Sequence, residues 1–350
     1  MSPGTRARPP GCALRGAAVL VCALLTAAGT AAASPGFAAR PEVRAYLESL
    51  AREHGFARER LLALFERVAP REEVVRAISA PAEARPWHRY RPIFVNEARI
   101  AGGVRFWRTH RELLARAEAR YGVDARVIVA IIGVETRYGR HTGRHPVLAS
   151  LATLAFDYPP RARFFRRELT EYLLLSREEG LDPLRVKGSY AGAMGQPQFI
   201  PSSYRRYAVD FDGDGRRDLW SSAADAIGSV AHYLAVHGWR RGAPVAVRAR
   251  ARGDAWREAA GGLEPRLTVS ALRARGLEPV RPVAGDPPAA VLELEGAEGP
   301  ERWLVFANFR VITRYNRSPK YALAVHELGE AIAARLASAA ENEEEEDVAL

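Results

Sequence analysis

Apolar residues recur at three- and four-residue spacing along most of this chain, a period that predicts helices. Val43, Leu47 and Leu50 share one face of a segment over 41–55, and Leu61, Leu64, Phe65 and Val68 share one face over 58–68. The prolines between Pro81 and Pro92 interrupt the pattern; further helices are predicted at about 104–119, 164–179 and 223–237, and a closing one from Tyr321 to about Leu336. From 242 to 299 the period falls to two. VAVRARA and AVLELEG alternate, Gly285-Asp286-Pro287-Pro288 reads as a turn, Ser270–Arg275 as a short helix, and RWLVFANF as an apolar run continuing the strands. The predicted class is α+β, mainly α: helices over 34–240, a small inserted β-containing lobe over 241–310, and a cleft segment with a C-terminal helix over 311–340. No internal repeat is evident.

One helix carries a candidate chemical group. Tyr121-Gly122 and Asp124 offer a start, Val127, Ile128, Ile131, Ile132 and Val134 an apolar stripe, and Gly139 a stop. Glu135 leaves this stripe at the helix end, between core and solvent. Burial there disfavours the charged form and raises the pKa, so that a glutamic acid can donate a proton near neutral pH. A solvated charge paired with Arg137 is the plain alternative for such a residue.

Two loops add donors without a second acid. Lys187 to Ser203 reads KGSYAGAMGQPQFIPSS. Its glycines permit close backbone approach, Ser189, Gln196, Gln198, Ser202 and Ser203 offer neutral hydrogen-bonding groups, and Tyr190, Phe199 and Tyr204 offer aromatic faces. Sugars need both; a loop packed between helices is the alternative. Asp210 to Asp218 reads DFDGDGRRD, with carboxylates at loop positions one, three and five and glycine at six, as in a calcium loop. The twelfth position is Ser221 rather than glutamate, and Asp225 is the next acid.

GVETRYG around Glu135, the 187–203 segment and YNRSPKY at 315–321 together resemble the signature segments of lytic murein transglycosylases of the B type. The resemblance runs from about Pro41 to about Leu336. It implies a lysozyme-like helical core that cleaves the glycosidic bond between N-acetylmuramic acid and N-acetylglucosamine in peptidoglycan, leaving 1,6-anhydro ends. It implies Glu135 as acid and then base, and Ser189 and Asn316 near the N-acetyl group and the carboxyl. Gln198, Phe199, Tyr233, Tyr315 and Tyr321 match cleft positions, and Tyr90 and Arg161 match positions lining glycan and peptide subsites. Pro160 stands where the family can carry the first of two arginines, which weakens the match at the peptide site. The family also resembles the acidic loop, with Asp210, Asp212, Asp214, Arg216 and Asp225 as the implied structural calcium site; no cofactor is implied for the chemistry. A hydrolytic muramidase, with Asp157 as second carboxylate, and a non-catalytic peptidoglycan-binding scaffold remain as alternatives.

Composition sets the compartment and the partner. Residues 1–33 carry Arg6, Arg8 and Arg15, an apolar run from Ala17 to Ala28 and Ala31-Ala32-Ala33, the pattern of a cleaved secretory signal. Both cysteines, Cys12 and Cys22, lie within it, so the remaining chain has no disulfide to form. Val21 before Cys22 and the apolar run after it argue against a lipid anchor. A periplasmic monomer without stable membrane insertion is expected. The net charge of +10 becomes +7 without the three leader arginines, and +13 without the six acids of 341–347, a segment predicted to be a disordered acidic tail over 341–350. A basic body suits anionic peptidoglycan strands; nucleic acid is disfavoured because the arginines are dispersed and no nucleic-acid-binding signature is present. His326-Glu327 lacks the second histidine of a zinc-protease helix.

Overall fold

The computed structural model describes residues 36–79 and 85–348, with side chains to residue 342. The predicted leader, with both cysteines, lies outside the described residues. The helices are α1 (Pro41–His54), α2 (Arg58–Glu66), α3 (Glu72–Ser79), α4 (Trp87–Phe94), α5 (Glu97–Thr109), α6 (Arg111–Tyr121), α7 (Ala125–Thr136), α8 (Val147–Phe156), α9 (Ala162–Glu178), α10 (Pro201–Tyr207), α11 (Ala223–Val236), α12 (Val269–Ala274), α13 (Ala307–Tyr315) and α14 (Pro319–Val348). The strands are β1 (His145–Pro146), β2 (Lys187–Gly188), β3 (Ala246–Ala251), β4 (Leu267–Thr268), β5 (Leu277–Pro279), β6 (Pro288–Gly296) and β7 (Gly299–Val305).

Helix α7 is the hub. Asp124 caps it by accepting from the amide of Arg126, and every residue from Val127 to Val134 is buried. It packs against α14, α5, α11 and α6. Helix α14 crosses it closely: a Cβ on Gly329 would lie 2.9 Å from the carbonyl oxygen of Arg126, so only glycine permits this approach. Helix α8 packs on α9 and is apolar on all sides, with nine of its ten residues buried. That uniformity hides it from a periodicity reading.

The five-stranded antiparallel sheet has the order β4-β6-β7-β3-β5, with β6 and β7 joined by a tight hairpin in which Gly296 pairs with Gly299. One face buries Trp303, Val305 and Leu292 against the helical body. The other encloses its own cluster of Val247, Trp256, Leu272, Leu304 and Phe306.

Several predicted elements differ. The single helix expected over 104–119 is two, α5 and α6, hinged at His110. The proline-rich stretch holds α4, which tolerates Pro92 inside it, after the separate α3. The apolar run RWLVFANF is a strand only to Val305; its second half opens α13. The acidic segment continues α14 to Val348 instead of forming a disordered tail. Extending an existing helix avoids the nucleation cost, and the segment has glutamates but no glycine or proline to stop it.

Candidate active site

Glu135 occupies the last turn of α7, partly buried. The helix ends in a tight reversal in which Arg137 and Tyr138 both adopt positive φ, 52° and 62°. Tyr138 stabilises it by folding back across α5 and α7, its hydroxyl donating to the Arg99 carbonyl at 2.7 Å. A Cβ on Gly133 would fall 2.5 Å from that hydroxyl oxygen, so the glycine before Val134 makes room for the tyrosine.

Across the cleft, Tyr321 on α14 donates its hydroxyl to Glu135 Oε1 at 2.6 Å. Desolvation dominates the carboxyl's titration and pushes its pKa up to about 7, against the opposing pull of the Tyr321 hydrogen bond and the Arg99 charge. A substantial fraction is therefore protonated at neutral pH. The surrounding phenols stay neutral: burial raises Tyr321 and Tyr315, and the nearby Glu135 charge raises both further.

An aromatic wall extends from this acid. Tyr315 at the end of α13 donates to the Pro197 carbonyl at 2.5 Å and meets Phe199 at 5.8 Å and Tyr233 at 4.9 Å between ring centres. Tyr233 on α11 donates to the Arg314 carbonyl at 2.6 Å and stacks on His237 at 4.1 Å. Tyr90 on α4 lies close enough to interact electrostatically with Tyr321, and its ring meets Phe94 at 5.1 Å.

The 187–203 loop is held by its own polar groups. Ser189 Oγ accepts from the amides of Ala191 and Ala193 at 3.2 and 3.0 Å, bonds that do not use its proton. Gln198, at φ 50°, donates its amide to the carbonyls of Thr142 and Gly195, both at 3.0 Å. Gln196, two residues earlier, donates its side-chain amide to the Trp220 carbonyl at 3.2 Å. Asn316 follows Tyr315 and accepts from the Ser318 amide at 3.1 Å, capping the entry to α14.

Glu135, Tyr321, Tyr315, Phe199, Tyr233 and Tyr90 thus form one connected shell. Arg161 places its guanidinium over Phe164 at 4.3 Å and Phe165 at 5.2 Å. Asp157, the candidate second carboxylate, forms an ion pair with Arg40. A residue that sequence reading overlooked is Arg99. It is buried on α5, donating to the Gly133 and Val134 carbonyls immediately before Glu135.

In the acidic loop, carboxylate oxygens of Asp210, Asp212 and Asp214 lie within 4.8 Å of one another. Asp210 accepts from the amides of Gly213, Asp214 and Gly215, and Ser222 donates to Asp212 at 2.7 Å. Like charges at that separation favour a hard cation among them, and the donors are all oxygen. Asp225 lies under the loop, near enough to Asp212 for that carboxylate's charge to act on it. It is buried and accepts from the amides of Phe211 and Asp218, both at 2.7 Å, so its carboxylate braces the loop from within. Arg216 donates its amide to Asp214 at 2.8 Å.

The chain matches the family described as Transglycosylase SLT domain over residues 38–330. It is 42% identical over 307 residues to membrane-bound lytic murein transglycosylase B of Escherichia coli, covering 85% of this chain and 84% of that one. Among solved structures, the soluble lytic transglycosylase SltB1 of Pseudomonas aeruginosa superposes with a TM-score of 0.79 at 50% identity, over 84% of this chain and 99% of that chain. The Escherichia coli lytic transglycosylase SLT35 in complex with calcium gives 0.80 at 42% identity, over 87% of this chain and 97% of that chain. With the acid, its tyrosine partner and the aromatic cleft in place, the chain belongs to the lytic murein transglycosylase family of the B type.

Proposed function

We propose that this peptidoglycan lytic transglycosylase works through Glu135 alone. The observation that carries this is a carboxyl pushed up to about 7 and held by Tyr321, while Asp157 is committed to Arg40. Glu135 protonates the glycosidic oxygen as the bond to the muramic acid anomeric carbon breaks. The substrate's N-acetyl group supports that carbon, and Ser189, with a hydroxyl proton to donate, orients it together with Asn316. The muramic acid 6-hydroxyl then closes on the anomeric carbon and gives its proton to the Glu135 carboxylate. One carboxyl serves both steps, and no water enters the product. Tyr315, Tyr233, Phe199, Gln198 and Tyr90 line the glycan cleft, and Arg161 faces the peptide stem.

We assign calcium to the Asp210, Asp212 and Asp214 carboxylates, with Asp225 bracing the loop and the Arg216 carbonyl completing the donors. The cation offsets two of the three negative charges and ties the loop to the start of α11; it takes no part in bond cleavage. The relative solved with calcium supports this reading. The predicted leader supports a periplasmic location, and no helix among the described residues is long and apolar enough to cross a membrane.

Glu135→Gln keeps size and hydrogen bonding, so it should co-sediment with sacculi as the parent does while clearing none of their turbidity. Full turnover by this variant would refute the assignment.

A further inference from the structure

Arg99 breaks a local rule. It lies in the first turn of α5, just after the Asn96 cap, where the helix dipole disfavours a cation. It is nonetheless 8% exposed, and its partners are carbonyl oxygens rather than a carboxylate: Gly133, Val134 at 3.2 Å and Ile93 at 3.2 Å. The first two belong to the last turn of α7, the negative end of that helix, where a cation is welcome. Its guanidinium also lies over the Phe94 ring at 5.1 Å, and its own backbone carbonyl receives the Tyr138 hydroxyl. One side chain therefore joins α4, α5 and the turn that presents Glu135.

We propose that Arg99 is a positioning residue for the reaction, clamping the last turn of α7 so that Glu135 faces Tyr321, and supplying the positive charge that acts on that carboxyl from behind. The proposal rests on Glu135 being the catalytic acid. The groups facing Glu135 are the Tyr321 phenol from α14 and the Tyr315 phenol from α13, both neutral, with Tyr90 of α4 behind them. Arg137, on the same turn, is exposed, so its charge is screened by solvent. Arg99 is the cation whose field lowers Glu135's proton affinity against desolvation. Without it the carboxyl stays protonated to higher pH: a better-populated acid, but a base that is harder to regenerate as carboxylate.

The test is the pH profile of kcat/KM on soluble glycan fragments for the parent, Arg99→Lys, Arg99→Gln and Arg99→Met, with Glu135→Gln alongside. The alkaline limb reports loss of the Glu135 proton. Arg99→Lys keeps the charge and loses the fork, so kcat should fall about tenfold while the limb stays near pH 7. Arg99→Gln and Arg99→Met should move the limb upward by about one pH unit. Limbs that superpose on the parent's in both neutral variants would overturn the proposal, leaving Arg99 a structural clamp only. If the neutral variants do not fold, Arg99→Lys decides alone: a limb displaced with the charge retained contradicts the proposal, and one in place with reduced kcat supports it. An active Glu135→Gln would instead refute the catalytic assignment itself, whatever the Arg99 variants do.

Discussion

A carboxyl raised to suit catalysis should burden the fold, and the burden can be measured. Glu135 titrates at about 7 in the folded chain against the ordinary glutamate value of 4.5. Because the folded state binds this proton more tightly than the unfolded state, its contribution to stability is fully present below pH 4.5 and is lost as pH rises through 7. At about 1.4 kcal/mol per pH unit, the loss totals about 3 kcal/mol above pH 8. Glutamine in place of Glu135 mimics the protonated acid and carries no such titration, and Tyr321 can still donate to its carbonyl oxygen. Relative to the parent, Glu135→Gln should therefore gain about 3 kcal/mol between pH 4.5 and pH 8.5, or about 5 °C in Tm for a body of this size. Thermal melts of both proteins across pH 4.5 to 9 give the difference directly. Tm curves that run parallel over this range would refute the reasoning, because they would mean that Glu135 titrates as an exposed glutamate.

Three further predictions follow from the same geometry. Tyr321→Phe removes the hydrogen bond that favours the Glu135 carboxylate, so the alkaline limb of the rate profile should move up by about one pH unit and kcat should fall at least tenfold; an unmoved limb would discount the contact. Gly133→Ala forces a methyl group against Tyr138 and should destabilise the protein by about 1–3 kcal/mol in urea melts, with activity falling as the Glu135 turn shifts. Chelator should lower the Tm of the purified protein and calcium should restore it, since metal that binds only the folded loop stabilises by linkage; an unchanged Tm would leave the Asp210 loop as a polar turn.

How much of this was legible from sequence depends on whether the signal was local. Helices α1, α2, α7 and α11 show clear apolar stripes or strong caps, and Glu135 stands out because a single acid ends an apolar run before a glycine. Helix α8 gave no periodic signal because every face of it is buried. Helix α13 looked like a continued strand because Phe306, Phe309 and Val311 all face the core while the preceding β7 is equally apolar. Motif resemblance put Glu135 and Tyr321, 186 residues apart, in one cleft, but their hydrogen bond was not legible, since no local pattern encodes such a contact. Arg99 was hidden among dozens of arginines; its one local mark is a cation in the first turn of a helix, where composition alone gives no reason for it.

The account's central claim is anhydro-forming cleavage by one carboxyl. Mass spectrometry of the soluble products released from peptidoglycan sacculi by the mature protein, beside Glu135→Gln, tests it most directly. The account predicts muropeptides one water lighter than hydrolytic products, present with the parent and absent with the variant; products with reducing muramic acid ends, or the same release by Glu135→Gln, would contradict it.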